Sequence, residues 1–145
     1  MSSSAEPHAM NRALIDLPQA GGSRLRVTLA RAVRRRCPYC GGPRIFKSWF
    51  SLKDRCPTCG VLFAYEDGYF LGSYAINLVV TELLAVGIVI WMLVGLDLSV
   101  LQMQILAVIF AVSLPLFFYP YALLLWIVMD LYFNPPRDFS QRPRI

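Results

Sequence analysis

The sequence predicts an integral membrane α-helical hairpin carrying a small N-terminal four-cysteine zinc ribbon. Three observations lead there. Of the 145 residues, 57% are hydrophobic and 16% charged, whereas soluble domains run at about 45–50% and about a quarter. Residues 68–96 and 98–129 hold one charged side chain between them, Glu82, and each stretch exceeds the roughly 20 residues that carry a helix across a bilayer. Ahead of them stand Cys37-Pro38-Tyr39-Cys40-Gly41 and Cys56-Pro57-Thr58-Cys59-Gly60. This hydrophobic share excludes a disordered chain, and four cysteines are too few for a small disulfide scaffold.

Charge divides the chain. Residues 1–71 carry eleven Lys and Arg against five acids, residues 72–133 carry three acids and no base, and the tail carries Arg137, Arg142 and Arg144 against Asp138, for a net charge of +5. Residues 1–23 are polar, with two prolines and a Gly21-Gly22 pair, and read as a disordered tail. They lack the basic start and apolar run of a signal peptide. The single histidine, His8, falls there and reads as solvated. Residues 24–35 form a basic arm. Arg24, Arg26, Arg31, Arg34, Arg35 and Arg36 are expected to lie on anionic lipid headgroups, where each charge contributes about 1 kcal/mol.

Residues 36–66 form the ribbon. Two Cys-x-x-Cys pairs separated by 15 residues are the spacing of a tetrahedral four-cysteine site at Cys37, Cys40, Cys56 and Cys59. Each pair makes a tight turn whose amides point at sulfur, and Gly41 and Gly60 permit the backbone angle that turn needs. Zinc is the expected metal and iron in a rubredoxin-like site the alternative. Such a site has no open position, so it is structural. Glutaredoxin-like redox use of Cys-Pro-Tyr-Cys would need a thioredoxin-like domain, for which the chain has no room. A module this small needs the metal to fold. It carries more apolar side chains than it can hide, so Phe46, Trp49 or Phe50 either pack over the turns or rest in the headgroup layer.

The spans are expected at residues 70–96 and 104–132, joined by a short turn at 97–103 and followed by a tail at 133–145. Fourteen Leu, Ile and Val residues between Leu71 and Leu96 outweigh one acid at about +3 kcal/mol. Bases flank the outer ends and none lies in the turn, which places both termini in the cytoplasm. Glu82, about 17 Å along the first helix, falls near mid-bilayer, and an acid there is a functional candidate. Counting back from Tyr132 puts Tyr119 and Tyr121 at a similar depth. The three form an expected polar site, with Glu82 protonated, bonded to a phenol, or facing a cation on another subunit. Pro115 and Pro120 each remove a helical hydrogen bond, with Ser113 and the tyrosines expected to satisfy the freed groups and the helix to kink. Ser73, Asn77 and Thr81 form a second polar stripe. Glu66 and Asp67 read as an N-terminal cap, and Asp130 as paired with a base such as Arg137.

These residues resemble the bacterial domain-of-unknown-function 983 family. The matching pieces are Arg36-Cys37-Pro38-x-Cys40-Gly41, Ile45-Phe46-x-x-Trp49-Phe50, Cys56-Pro57-x-Cys59-Gly60, Glu66 through Gly72, and Phe118-Tyr119-Pro120-Tyr121 with Leu125-Trp126 and Asp130. Many members have Gly-Asp-Gly-Pro where this chain has Glu66-Asp67-Gly68-Tyr69. The resemblance implies a ribbon followed by a membrane hairpin in a bacterial inner membrane, and no activity.

Three classes of function follow. The first is a non-catalytic adaptor or assembly factor, whose ribbon binds a cytoplasmic partner and whose hairpin engages a membrane complex or itself. The second is a membrane-tethered nucleic-acid binder with salt-sensitive affinity. The third is a thiol or metal-transfer protein. The sequence holds no nucleophile–base pair or phosphate loop, so the first is expected and catalysis is not.

Overall fold

The computed structural model describes residues 15, 17–64 and 67–134. The expected features at His8, Glu66 and Arg137 lie outside them. The order is α1 (Gly21–Val33), β1 (Phe46–Ser48), β2 (Ser51–Leu52), α2 (Leu71–Gly95) and α3 (Val100–Phe133). The helices α2 and α3 are each long and apolar enough to cross a membrane and pack together as a hairpin. Its turn is shorter than expected because Ser99 and Gln102 form a capping box. The Ser99 hydroxyl accepts from the Gln102 amide, and the Gln102 side chain accepts from the Ser99 amide. This satisfies two otherwise orphaned groups and starts α3 at Val100.

Polar contacts fix the register of the hairpin. Asn77 Nδ2 donates to the Pro115 carbonyl at 3.3 Å, and the Tyr119 hydroxyl donates to that of Tyr74 at 3.2 Å. Ser73 and Thr81 are buried, their hydroxyls turned back on the carbonyls of Phe70 and Asn77. The Ser73-Asn77-Thr81 stripe therefore faces α3. Gly72 sits where an added Cβ would run into the Trp126 ring, whereas Gly87 faces open space.

The length of α3 organises the rest. Its 34 residues would span about 51 Å, far more than the roughly 30 Å hydrocarbon core. Its two ends differ accordingly. Leu101, Ile105, Val108, Ile109, Val112, Leu116 and Phe117 are exposed, whereas no residue from Phe118 to Val128 is. That inner segment is covered by the ribbon and α1. Leu124, Ile127, Val128 and Leu131 share one core with Tyr39, Ile45, Leu52, Val61 and Phe63 of the ribbon. The ribbon is thus built around the surplus turns of α3.

The β1–β2 hairpin carries Trp49 and Phe50 at its tip and meets α3 where the covered segment begins. Pro120 has no amide hydrogen, so the Leu116 carbonyl loses its intrahelical donor. Trp49 Nε1 donates to that carbonyl at 2.8 Å. The Trp49 and Phe117 rings lie 6.0 Å apart, and those of Phe50 and Tyr119 5.5 Å apart. The donor expected from Ser113 or a tyrosine comes instead from the ribbon, and α3 continues through both prolines as one helix.

The basic arm is a helix. Arg24, Thr28 and Ala32 recur every four residues and are buried against α3. Arg24 donates to the carbonyls of Pro18, Gln19 and Leu131. Beyond the other end of α1, Arg35 stacks on Phe46 and Trp49. The helix therefore runs beside α3 in the opposite sense, from the level of Leu131 back toward that of Leu116.

Two substitutions test this packing. Trp49→Phe keeps the ring and leaves the Leu116 carbonyl without its donor, so thermal or denaturant unfolding in detergent should register a loss of about 1–2 kcal/mol. Gly72→Ala should cost about 1–3 kcal/mol by overpacking against Trp126, while Gly87→Ala should leave stability unchanged.

Candidate metal centre

Each cysteine pair folds by the same local rule. The Gly41 amide donates to the Cys37 carbonyl and the Gly60 amide to the Cys56 carbonyl. The chain then reverses, with Cys37 N–H on the Gly42 carbonyl and Cys56 N–H on the Val61 carbonyl. Gly41 and Gly60 adopt φ of +77° and +71°, a region that favours glycine. The Gly42 amide donates to Cys40 Sγ at 3.3 Å, the amide-to-sulfur contact expected of such turns. Gly42 has a second constraint, because a Cβ there would collide with Thr58.

The two turns bring all four sulfurs within 4.8 Å of one another. Cys37 and Cys59 Sγ are 4.0 Å apart, and Cys40 and Cys56 Sγ 3.8 Å apart. A tetrahedral ion with metal–sulfur bonds of about 2.3 Å requires sulfur separations of about 3.8 Å. The four free thiols therefore fit one metal ion, and Cys37, Cys40, Cys56 and Cys59 would hold it. Three of the four are buried. Without a cation they cannot all ionise together. Hydrogen bonds from Cys56 and Cys59, together with burial, push the Cys37 thiol far above its ordinary value, while the bonds Cys56 makes to Cys37 and Cys59 pull Cys56 down. One divalent ion removes that conflict by taking all four as thiolates.

Arginines brace the turns. Arg31 Nη1 donates to the carbonyls of Pro38 and Tyr39, and Arg55 Nη1 to that of Gly60. Two of the six arginines expected to face lipid, Arg24 and Arg31, thus turn inward. Arg26, Arg34 and Arg36 stay exposed and Arg35 is half-buried.

The expected intramembrane site is not drawn together. Glu82 is exposed on the face of α2 away from α3, and among the described residues it has no hydrogen bond or ion pair. Continuing the register from Asn77 and Pro115 sets Glu82 opposite Phe110. Tyr119 then lies about 14 Å further along α3. Its hydroxyl meets Tyr74, and the Tyr121 ring packs on Phe117 and Phe118. The depths differ because the count back from Tyr132 treated the end of α3 as the membrane boundary, and its last turns belong to the ribbon core.

The residues before α2 differ from expectation as well. Phe70 occupies the N-cap of α2 with no side-chain hydrogen bond. Asp67 instead lines a cavity of about 450 Å³ with Tyr69, Trp126, Asp130 and Asn134. Asp130 accepts from the Tyr69 hydroxyl at 3.0 Å and from Asn134 Nδ2 at 3.1 Å. The Tyr69–Asp130 bond had no sequence signal, since the partners stand 61 positions apart.

A family profile described as Protein of unknown function (DUF983) matches residues 46–134. The match takes in both long helices and the second cysteine pair, and leaves Cys37 and Cys40 outside it. No curated protein and no solved structure matches the chain.

The centre predicts its own chemistry. Purified protein should carry about one tetrahedral metal equivalent per chain, and Cys56→Ser or Cys37→Ser should lose it, as read by elemental analysis. Gly42→Ala should weaken metal retention through the clash with Thr58, and Thr58→Gly in the same chain should restore it.

Proposed function

The chain belongs to the family described as Protein of unknown function (DUF983), and on that footing we propose that it is a non-catalytic adaptor or assembly factor of a bacterial inner membrane. The observation that carries this reading is the closure of the metal centre onto α3. All four sulfurs converge, so the ion has no vacant position for substrate, and the same module packs its core on the inner end of a span. Such a centre stiffens a presenting surface and contributes no chemistry of its own. Zinc is the metal we assign, since it adds no redox reactivity to a structural site. The charge distribution puts the ribbon and both termini in the cytoplasm.

Glu82 supports the membrane half of the reading. It is an exposed acid on a span, and an acid at that depth is costly unless it meets another polar group. A second copy or a membrane-complex partner can supply that group. The nucleic-acid alternative draws less support, because Arg24 and Arg31 spend their donors on backbone carbonyls.

Affinity purification of the full chain in mild detergent should recover a stoichiometric membrane partner or a defined homo-oligomer together with the metal. Glu82→Gln should weaken that association while leaving metal content unchanged. Recovery of a bare monomer, from a preparation that keeps its metal, would remove the adaptor reading.

A further inference from the structure

We propose that Arg35 is the centre of a subsite for the phosphate of an anionic phospholipid headgroup. Its guanidinium lies over two rings, 4.7 Å from the Phe46 centroid and 4.6 Å from that of Trp49. Stacking fixes the plane of the group. It leaves the N–H edge as the only way to use its hydrogen bonds, and a planar fork suits phosphate oxygens taken two at a time. Arg24, Arg31 and Arg55 place their forks on backbone carbonyls. Among the described residues no acceptor meets a guanidinium N–H of Arg35, and its Nε is buried without a partner.

The backbone marks the same residue, as it does Arg44. Arg35 has φ of +54°, a left-handed conformation uncommon outside glycine and costing of order 1 kcal/mol. It follows the end of α1, where its amide donates to the Ala32 carbonyl. That twist turns the chain so that Arg35 enters the aromatic slot while Arg34 and Arg36 remain exposed on either side. Arg34 and Arg36 then flank in sequence a fork with no acceptor.

Its depth identifies the ligand. Trp49, one wall of the slot, is tied to the Leu116 carbonyl and rests on Phe117. The exposed apolar part of α3 runs from Val100 to Phe117, which is about 27 Å of helix and close to the hydrocarbon thickness. Arg35 therefore sits where that apolar surface stops, at the level of lipid phosphates. Aromatic and basic side chains are both favoured at this level. This inference rests on the two spans and the β1–β2 hairpin and stands apart from any partner of the ribbon.

Native mass spectrometry of the metal-loaded full chain, released from detergent with phosphatidylglycerol or phosphatidylcholine, tests it. The wild type should retain phosphatidylglycerol preferentially. Arg35→Gln should lower that preference about fivefold, the equivalent of one charge at the surface. Arg26→Gln, on the exposed side of α1, should leave it unchanged, and soluble glycerol phosphate should not displace the lipid. Should Arg35→Gln lose its metal and so fail to fold, the Arg34→Gln/Arg36→Gln double variant keeps the stacked fork and should still lower the preference. Equal retention of the two lipids by the wild type would overturn the proposal, as would an unchanged preference in a folded Arg35→Gln or in the double variant. Displacement by glycerol phosphate would mark a free-phosphate site instead, and displacement by an RNA oligonucleotide a nucleic-acid surface. Either result contradicts the lipid assignment.

Discussion

Pro120 takes an amide out of α3, and the Leu116 carbonyl it strands is met by the indole N–H of Trp49, 67 positions earlier in the chain. Much of the architecture depends on that bond. It fastens the tip of the β1–β2 hairpin to the helix, places Phe50 on Tyr119, and makes Trp49 one wall of the slot that holds Arg35. It also marks where α3 changes environment, with an exposed apolar surface on one side and a covered helix on the other. A carbonyl stranded near lipid is costly, and here the donor comes from the soluble module.

The metal-binding ribbon fold and the helix support each other through one shared core. A four-cysteine ribbon of this size cannot bury enough apolar surface alone. It gains that surface by packing Ile45, Val61 and Phe63 on Leu124, Ile127, Val128 and Leu131 of α3. In return the ribbon-side half of α3, which exceeds the bilayer, acquires a cover. A metal ion at the four cysteines would hold the two turns that carry this cover, and Arg31 and Arg55 lock the carbonyls of those turns. Ribbon and hairpin therefore form one continuous core, which makes the ribbon a rigid extension of the membrane anchor and suits it to presenting a surface.

Most of this plan was legible in the sequence where a local rule governs. The cysteine spacing marked the sulfur cluster, Gly41 and Gly60 marked its turns, and the uncharged runs marked α2 and α3. Features set by contacts between distant segments were not legible. The helix α1 packs on α3 through Arg24, Thr28 and Ala32, which leave no apolar stripe on its inner face. Its apolar period, Leu25, Leu29 and Val33, points outward. Tyr119 and Tyr121 fall away from the depth of Glu82 because composition cannot separate turns of α3 that meet lipid from turns that meet a ribbon. Trp49 was expected among lipid headgroups or over the zinc turns, and no local pattern pointed to its acceptor, the Leu116 carbonyl that Pro120 frees.

The central claim is that the metal centre and the covered half of α3 form one cooperative unit. Amide hydrogen exchange across residues 118–131, compared before and after metal removal in the same detergent, tests it most directly. The account predicts that chelation strips protection from this segment while residues 100–116 keep theirs. Full protection of residues 118–131 after complete metal loss would contradict it, because the helix would then need no help from the ribbon.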